Sequence, residues 1–293
     1  MAARDGGGRA PSGTAAETAC TGLLLNPEYV ARPWAPGAAP DLAAPGGQTP
    51  AALRWASGAA TDQGMVRSVN QDACLDRPDL GLWAVADGMG GHTDGALASR
   101  TIVAALGRLA HPTHLGSAAR AIRTILQAVN QELLDQAATL PAGDLIGSTA
   151  VVMVAVGGHC VILWVGDSRA YRLRDGVLTQ VTTDHSQVQS MVDAGLLSPE
   201  RAGEHPQSNV LLRAVGSDAP LEVDSSIQRL RASDRYLLCS DGLYRELDPE
   251  TMATILAHLP PGDGAQLLVQ RACEAGGRDN VSAVVVDFLT SRD

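Results

Sequence analysis

Seven short runs rich in apolar residues recur along the chain, at 81–86 (GLWAVA), 149–156 (TAVVMVAV), 161–166 (VILWVG), 170–173 (AYRL), 177–181 (VLTQV), 236–239 (YLLC) and 281–288 (VSAVVVDF). Their length, their valine and aromatic content and the turn residues between them predict β-strands. Alanine, leucine and arginine dominate 94–110, 117–138, 186–194, 249–258 and 263–275, and these stretches predict helices. The helical pair at 94–138 follows one group of strands and precedes a run of consecutive strands. That order breaks strict βαβ alternation, so an α+β fold with antiparallel sheets is expected. No internal repeat is visible.

The pattern starts late. Residues 1–50 carry GGG, PGAAP and APGGQTP with no periodicity, which predicts a disordered Ala/Gly/Pro-rich extension ahead of a folded domain at 51–293. The extension is either a tail without a role or a docking segment, with Tyr29 and Trp34 as its aromatic residues.

Composition narrows the function class. The 293 residues carry a formal charge of −10, and every cationic side chain other than histidine is arginine. An acidic chain lacks the basic face that neutralises a phosphate backbone, so no nucleic-acid partner is expected. The apolar runs are shorter than the roughly 20 residues that span a bilayer, and no basic-then-apolar leader opens the chain. No membrane partner is expected. The five cysteines (Cys20, Cys74, Cys160, Cys239 and Cys273) are odd in number and form no CxxC pair, which suits a reducing, cytoplasmic setting.

The candidate chemistry lies in aspartates at strand boundaries. Asp87 and Gly88 follow LWAVA, where the aspartate projects from a strand rim and the glycine lets its own carbonyl approach an ion. Asp241 and Gly242 repeat the arrangement after YLLCS, Asp279 introduces the last strand, Asp72 precedes another short strand, and Asp167 ends VILWVGD. Hard divalent cations take carboxylate and carbonyl oxygens, so a convergence of these groups would make a metal site. Asp-Gly is also a common turn dipeptide. Asp175–Gly176 is assigned to a hairpin turn and Asp94 to a helix entry. Cys239, inside an apolar strand, is expected to be a small buried side chain and not a nucleophile.

The segments TDQGMVRSVNQD, VADGMGGH, GST, VGDSRAYRLRDG, TDHSQVQSMVDAGLLSPE, HPQSNVLLRAVG, LLCSDGL and GGRDNVS occur in this order over about residues 54–289. Together they resemble the bacterial branch of the PPM/PP2C family of metal-dependent serine/threonine protein phosphatases. The resemblance implies a four-layer α/β/β/α sandwich with two central, mainly antiparallel sheets, plus a flap subdomain at about 184–217. It implies hydrolysis of phosphoserine and phosphothreonine in proteins by a water activated between two divalent cations. Asp87 would bridge the two ions, Gly88 would offer its carbonyl to one of them, Asp241 and Asp279 would complete the other's shell, and Asp72 would act near the second ion, directly or through ordered water. Asp167 resembles a ligand of a third, weaker ion, giving two or three Mn2+ or Mg2+ in all. Arg67 would contact the substrate phosphate.

The chain departs from the family pattern twice. It has Met89 where some members place a histidine as general acid, which leaves metal-bound water or His92 for that role, although the structural reading of His92 is the favoured one. Gln71 stands where many members have glutamate. Phosphoproteins made by a bacterial Ser/Thr kinase are the partners implied, and a monomer is expected. A phosphoprotein-binding scaffold with little activity and a metal-dependent hydrolase of small phosphoesters are the rival readings.

Overall fold

A computed structural model describes residues 53–90, 94–139 and 146–290. The expected N-terminal extension and His92 lie outside the described residues. One antiparallel sheet is built from β1 (Leu53–Asp62), β7 (Arg169–Arg174), β8 (Val177–Gln180), β10 (Arg235–Cys239) and β11 (Val281–Thr290), in the order β1-β11-β10-β7-β8. The other contains β2 (Asp72–Arg77), β3 (Leu82–Gly90), β5 (Ala150–Val156), β6 (His159–Val165) and β9 (Asp224–Arg229), in the order β2-β3-β5-β6-β9. The short β4 (Ile146–Ser148) pairs with the end of β3.

Side chains alternate between the faces of a strand, and both sheets use that alternation to bury two layers. β3 sends Trp83 and Val85 into the space between the sheets and Leu82, Ala84 and Ala86 to the outer face. β11 does the same with Val284, Val286 and Phe288 inward and Ala283 and Val285 outward. The chain's single phenylalanine, Phe288, meets Trp83 and Tyr236 edge to face, with centroids 6.3 and 5.8 Å apart. Such edge-on contacts add to the burial of large rings at the centre of the sandwich.

Helices close both outer faces. α1 (Asp94–Leu106) and α2 (Leu115–Ala137) cover the β3 sheet with Ile102, Leu106, Ile122 and Leu126. The flap region carries the short α3 (Gln187–Asp193) and α4 (Pro199–Ala202), and α5 (Asp241–Tyr244) is a single turn after β10. α6 (Pro249–His258) and α7 (Pro261–Ala275) cover the β11 sheet with Met252, Leu256, Leu268 and Ala272. The layering is the α/β/β/α sandwich expected from the resemblance.

Three local readings change. The helix expected over 94–110 ends at Leu106. The strands β1 and β9 were not predicted: β1 is built largely of small and polar residues (LRWASGAATD), and β9 (DSSIQR) is a polar edge strand with Ile227 exposed. The Asp175–Gly176 turn stands as expected, with both residues at positive φ (52° and 78°) between β7 and β8, as a two-residue hairpin loop of matching twist requires.

Candidate metal centre

Five aspartates gather at one end of the sandwich. Asp72 opens β2 and lies directly opposite Asp87 of β3 in the antiparallel register. Asp87 and Gly88 sit within β3 and not at its rim, because β4 pairs with residues 88–90 and continues the strand past LWAVA. The Asp87 main chain is fixed on both sides. Its N–H donates to Thr149 Oγ1 at 3.0 Å, and its carbonyl accepts from Ser148 Oγ at 2.9 Å and the Thr149 N–H at 2.9 Å.

Asp241 starts α5 directly after Ser240, Asp279 lies in the turn before β11, and Asp167 follows β6. Close backbone packing explains the two neighbouring glycines. A Cβ on Gly88 would stand 2.1 Å from the Gly95 carbonyl oxygen at the start of α1, and one on Gly242 would stand 2.1 Å from the Asn280 carbonyl oxygen. Gly88 therefore lets α1 approach β3, a reason beyond the exposure of its own carbonyl.

The electrostatics are those of an overloaded anionic site. Burial first, then the neighbouring Asp241 and Asp279, pushes the Asp72 carboxyl up to about 7 against the stabilising hydrogen bonds of Ser240 and Ser282. Asp167 is also pushed up to about 7, by burial and then by Asp241. Burial followed by Asp72, Asp241, Asp167 and Asp279 raises Asp87 well above the ordinary carboxylate range. Asp241 is raised too, by burial, despite the opposing charge of Arg245. Like charges brought together out of water disfavour ionisation in this way.

Among the described residues, no three His, Cys, Asp or Glu side chains are already gathered into an ion-binding shell. Three of the carboxylates instead point at nearby donors. Ser240 Oγ donates to Asp72 Oδ2 at 2.7 Å, Arg67 Nη2 to Asp279 Oδ2 at 2.7 Å, and Arg245 Nε pairs with Asp241 Oδ2 at 3.0 Å. Among the described residues, two buried oxygens, Asp72 Oδ1 and Asp241 Oδ1, have no hydrogen-bond partner. Buried carboxylate oxygens without donors are costly unless a cation meets them. The donor set is all oxygen, which fits Mn2+ or Mg2+ and not a softer ion.

Arg67 borders the cluster with its side chain about half exposed. Its loop is anchored by Asn280, whose amide donates to the carbonyls of Gln63 (2.8 Å) and Val69 (3.0 Å) and whose Oδ1 accepts from the Gln71 N–H (2.8 Å). The predicted flap also reaches the site. Val215 pairs with Ser148 across an isolated bridge, the His185 ring accepts from the Gly166 N–H at 3.1 Å, and Arg245 donates to the Ser208 carbonyl and to Asn209 Oδ1. Met89 faces Gly147. Cys239 is fully buried and burial drives its thiol pKa far upward, so it is no nucleophile.

The structure thus brings Asp72, Asp87, Gly88, Asp167, Asp241, Asp279 and Arg67 to one end of the molecule. Sequence reading singled out none of Ser240, Asn280, Thr149 and Arg245, although each lies within or next to a segment that it quoted.

The protein phosphatase 2C family model matches residues 65–281. The serine/threonine protein phosphatase PstP of Mycobacterium tuberculosis (strain H37Rv) is 37% identical over 237 residues, covering 81% of this chain. The chain spans about 45% of the length of that mycobacterial relative. The serine/threonine phosphatase stp of Listeria monocytogenes (EGD-e) is 35% identical over 78% of this chain and 93% of its own length. The catalytic domain of PstP, solved in complex with two manganese ions, superposes with a TM-score of 0.69 at 35% identity, covering 81% of this chain and 99% of that one. With the sandwich, the aspartate cluster and these matches in agreement, the chain belongs to the protein phosphatase 2C family.

Proposed function

We propose that this chain hydrolyses phosphoserine and phosphothreonine esters of proteins with two divalent cations, Mn2+ or Mg2+, held by Asp72, Asp87, the Gly88 carbonyl, Asp241 and Asp279. Asp167 offers a further carboxylate on one side. The observation that carries this reading is the pair of buried oxygens, Asp72 Oδ1 and Asp241 Oδ1, that find no partner among the described residues, inside a cluster of carboxyls with raised pKa values. Bound there, the ions supply Lewis acidity and an attacking water acidic enough to ionise near neutral pH.

The chain's own residues supply position. Thr149 and Ser148 hold the Asp87 main chain, so its carboxylate is aimed by the sheet and not by a mobile loop. Ser240 fixes one oxygen of Asp72 and leaves the other for an ion. Arg67, half exposed at the edge, grips the phosphoryl oxygens, its planar fork offering two donors in fixed geometry. Its ion pair with Asp279, at 2.7 Å, keeps it at the edge of the cluster. The flap at about 184–217 borders the site and shapes the choice of phosphoprotein.

The substrates are phosphoproteins produced by a bacterial Ser/Thr kinase, and the enzyme acts as a cytoplasmic monomer. No helix among the described residues is long and apolar enough to cross a membrane. Turnover of phosphothreonine peptides against nucleotides and p-nitrophenyl phosphate, with each metal, tests the assignment. Metal-dependent preference for the phosphopeptide is expected. Preference for nucleotides, or phosphopeptide binding without turnover, would overturn it.

A further inference from the structure

Arg245 is the cation closest to the cluster that the family resemblance did not assign. It leaves the last turn of α5 and contacts two of the aspartates, with Nε 3.0 Å from Asp241 Oδ2 and Nη2 3.5 Å from Asp167 Oδ2. Its other face holds the flap. Nη2 donates to the Ser208 carbonyl at 3.1 Å and Nη1 to Asn209 Oδ1. The side chain is about 30% exposed, and Asp167 and Asp241 are more deeply buried.

The neighbouring side chains are engaged with one another. The Tyr244 hydroxyl donates to the Asp167 carbonyl at 3.1 Å, and the Arg169 guanidinium lies 3.6 Å over the Tyr244 ring while pairing with Asp184 at 2.7 Å. Arg169 is thus paired with Asp184, and Arg245 is in ion-pair contact with both Asp167 and Asp241.

We propose that Arg245 is a positioning residue that stands in for a third divalent cation between Asp167 and Asp241 and ties that side of the site to the flap at Ser208 and Asn209. The proposal rests on the two-ion reading above. The guanidinium occupies the Asp241 and Asp167 oxygens that a third ion would need, at 3.0 and 3.5 Å, and offsets part of their charge. An ion that enters beside Asp167 has to displace Arg245, and the flap then loses both of its hydrogen bonds to α5. Flap position and ion number are therefore linked through one side chain.

Two readouts test this: Mn2+ binding counted by calorimetry, and amide hydrogen exchange over residues 205–212. Each is measured on the full chain with Arg245→Ala, Arg245→Lys and Asn209→Ala. Wild type should bind two ions tightly. Arg245→Ala should gain a third, bound roughly tenfold tighter or more than any third ion in wild type, and should exchange faster over 205–212. Arg245→Lys should restore the two-ion stoichiometry. Asn209→Ala should speed flap exchange without adding an ion, which separates the two arms of the guanidinium.

Identical ion number and affinity in wild type and Arg245→Ala, or flap exchange that does not respond to Arg245→Ala, would overturn the proposal. Absence of any tight Mn2+ binding in folded wild type would instead overturn the two-ion reading on which it rests.

Discussion

Each buried carboxylate at the site is unfavourable alone and useful only in company. Asp72 and Asp167 reach about 7 in the folded protein, against an ordinary value of 3.8. The folded state therefore binds these protons more tightly than the unfolded chain does. In metal-free protein their destabilisation is absent below about pH 4 and grows as pH rises through about 7. The melting temperature of metal-free protein is expected to fall over that window, and saturating Mn2+ at pH 8 should raise it again. A metal-free melting temperature that is flat with pH and unmoved by Mn2+ would contradict the electrostatic account.

Arg67→Ala removes a charged hydrogen bond worth about 1.5–3 kcal/mol. It should lower kcat/KM by roughly 10- to 100-fold, with Arg67→Lys recovering part of the loss. Steady-state kinetics on a phosphopeptide decide this. The five aspartates were legible in the sequence at strand boundaries, and the ordered motifs of the family resemblance gave them their roles. Ser240 and Asn280 were not, since their partners Asp72 and Gln71 lie 168 and 209 residues away in the chain. Only the closed sandwich reveals those pairs.

Elements, in turn, set how accurately those residues are placed. The loop bearing Arg67 has no regular structure of its own and is tied by three hydrogen bonds to one side chain, Asn280, besides the Met65 N–H bond to the Gly277 carbonyl. Asn280→Ala should raise KM for phosphopeptide several-fold while leaving metal affinity closer to wild type, because Arg67 is displaced more than the carboxylates are. Calorimetry and kinetics read the two effects separately. Gly242→Ala would drive a Cβ into the Asn280 carbonyl. Its expected cost is about 1–3 kcal/mol, seen as a lower denaturation midpoint. Strand prediction succeeded where valine-rich runs are buried on both faces, as in β5 and β11, and failed for β1 and β9. In those two strands pairing, not composition, decides the conformation.

At the largest scale, the described residues form two sheets packed face to face, with helices sealing the two outer faces. That design holds the site rigidly, since β2, β3, β10 and β11 all end near the carboxylates and each is locked by neighbours across its sheet. Trp83, fully buried between the sheets beside Trp55 and Phe288, is central to this coupling. Trp83→Ala should cost about 3–5 kcal/mol and leave a single cooperative transition by both near-ultraviolet and far-ultraviolet signals. Two separated transitions would show that the layers do not depend on each other.

The central claim is that the aspartate cluster works through divalent cations on phosphoprotein substrates. Its most direct test is hydrolysis of a phosphothreonine peptide in EDTA, Mg2+ or Mn2+ by wild type, Asp87→Asn and Asp241→Asn, with folding of each variant checked by circular dichroism. The account predicts turnover only with added metal, reduced by roughly 10²-fold or more in both variants. Turnover that persists in EDTA, variants as active as wild type, or no turnover with any ion in a folded protein would contradict it.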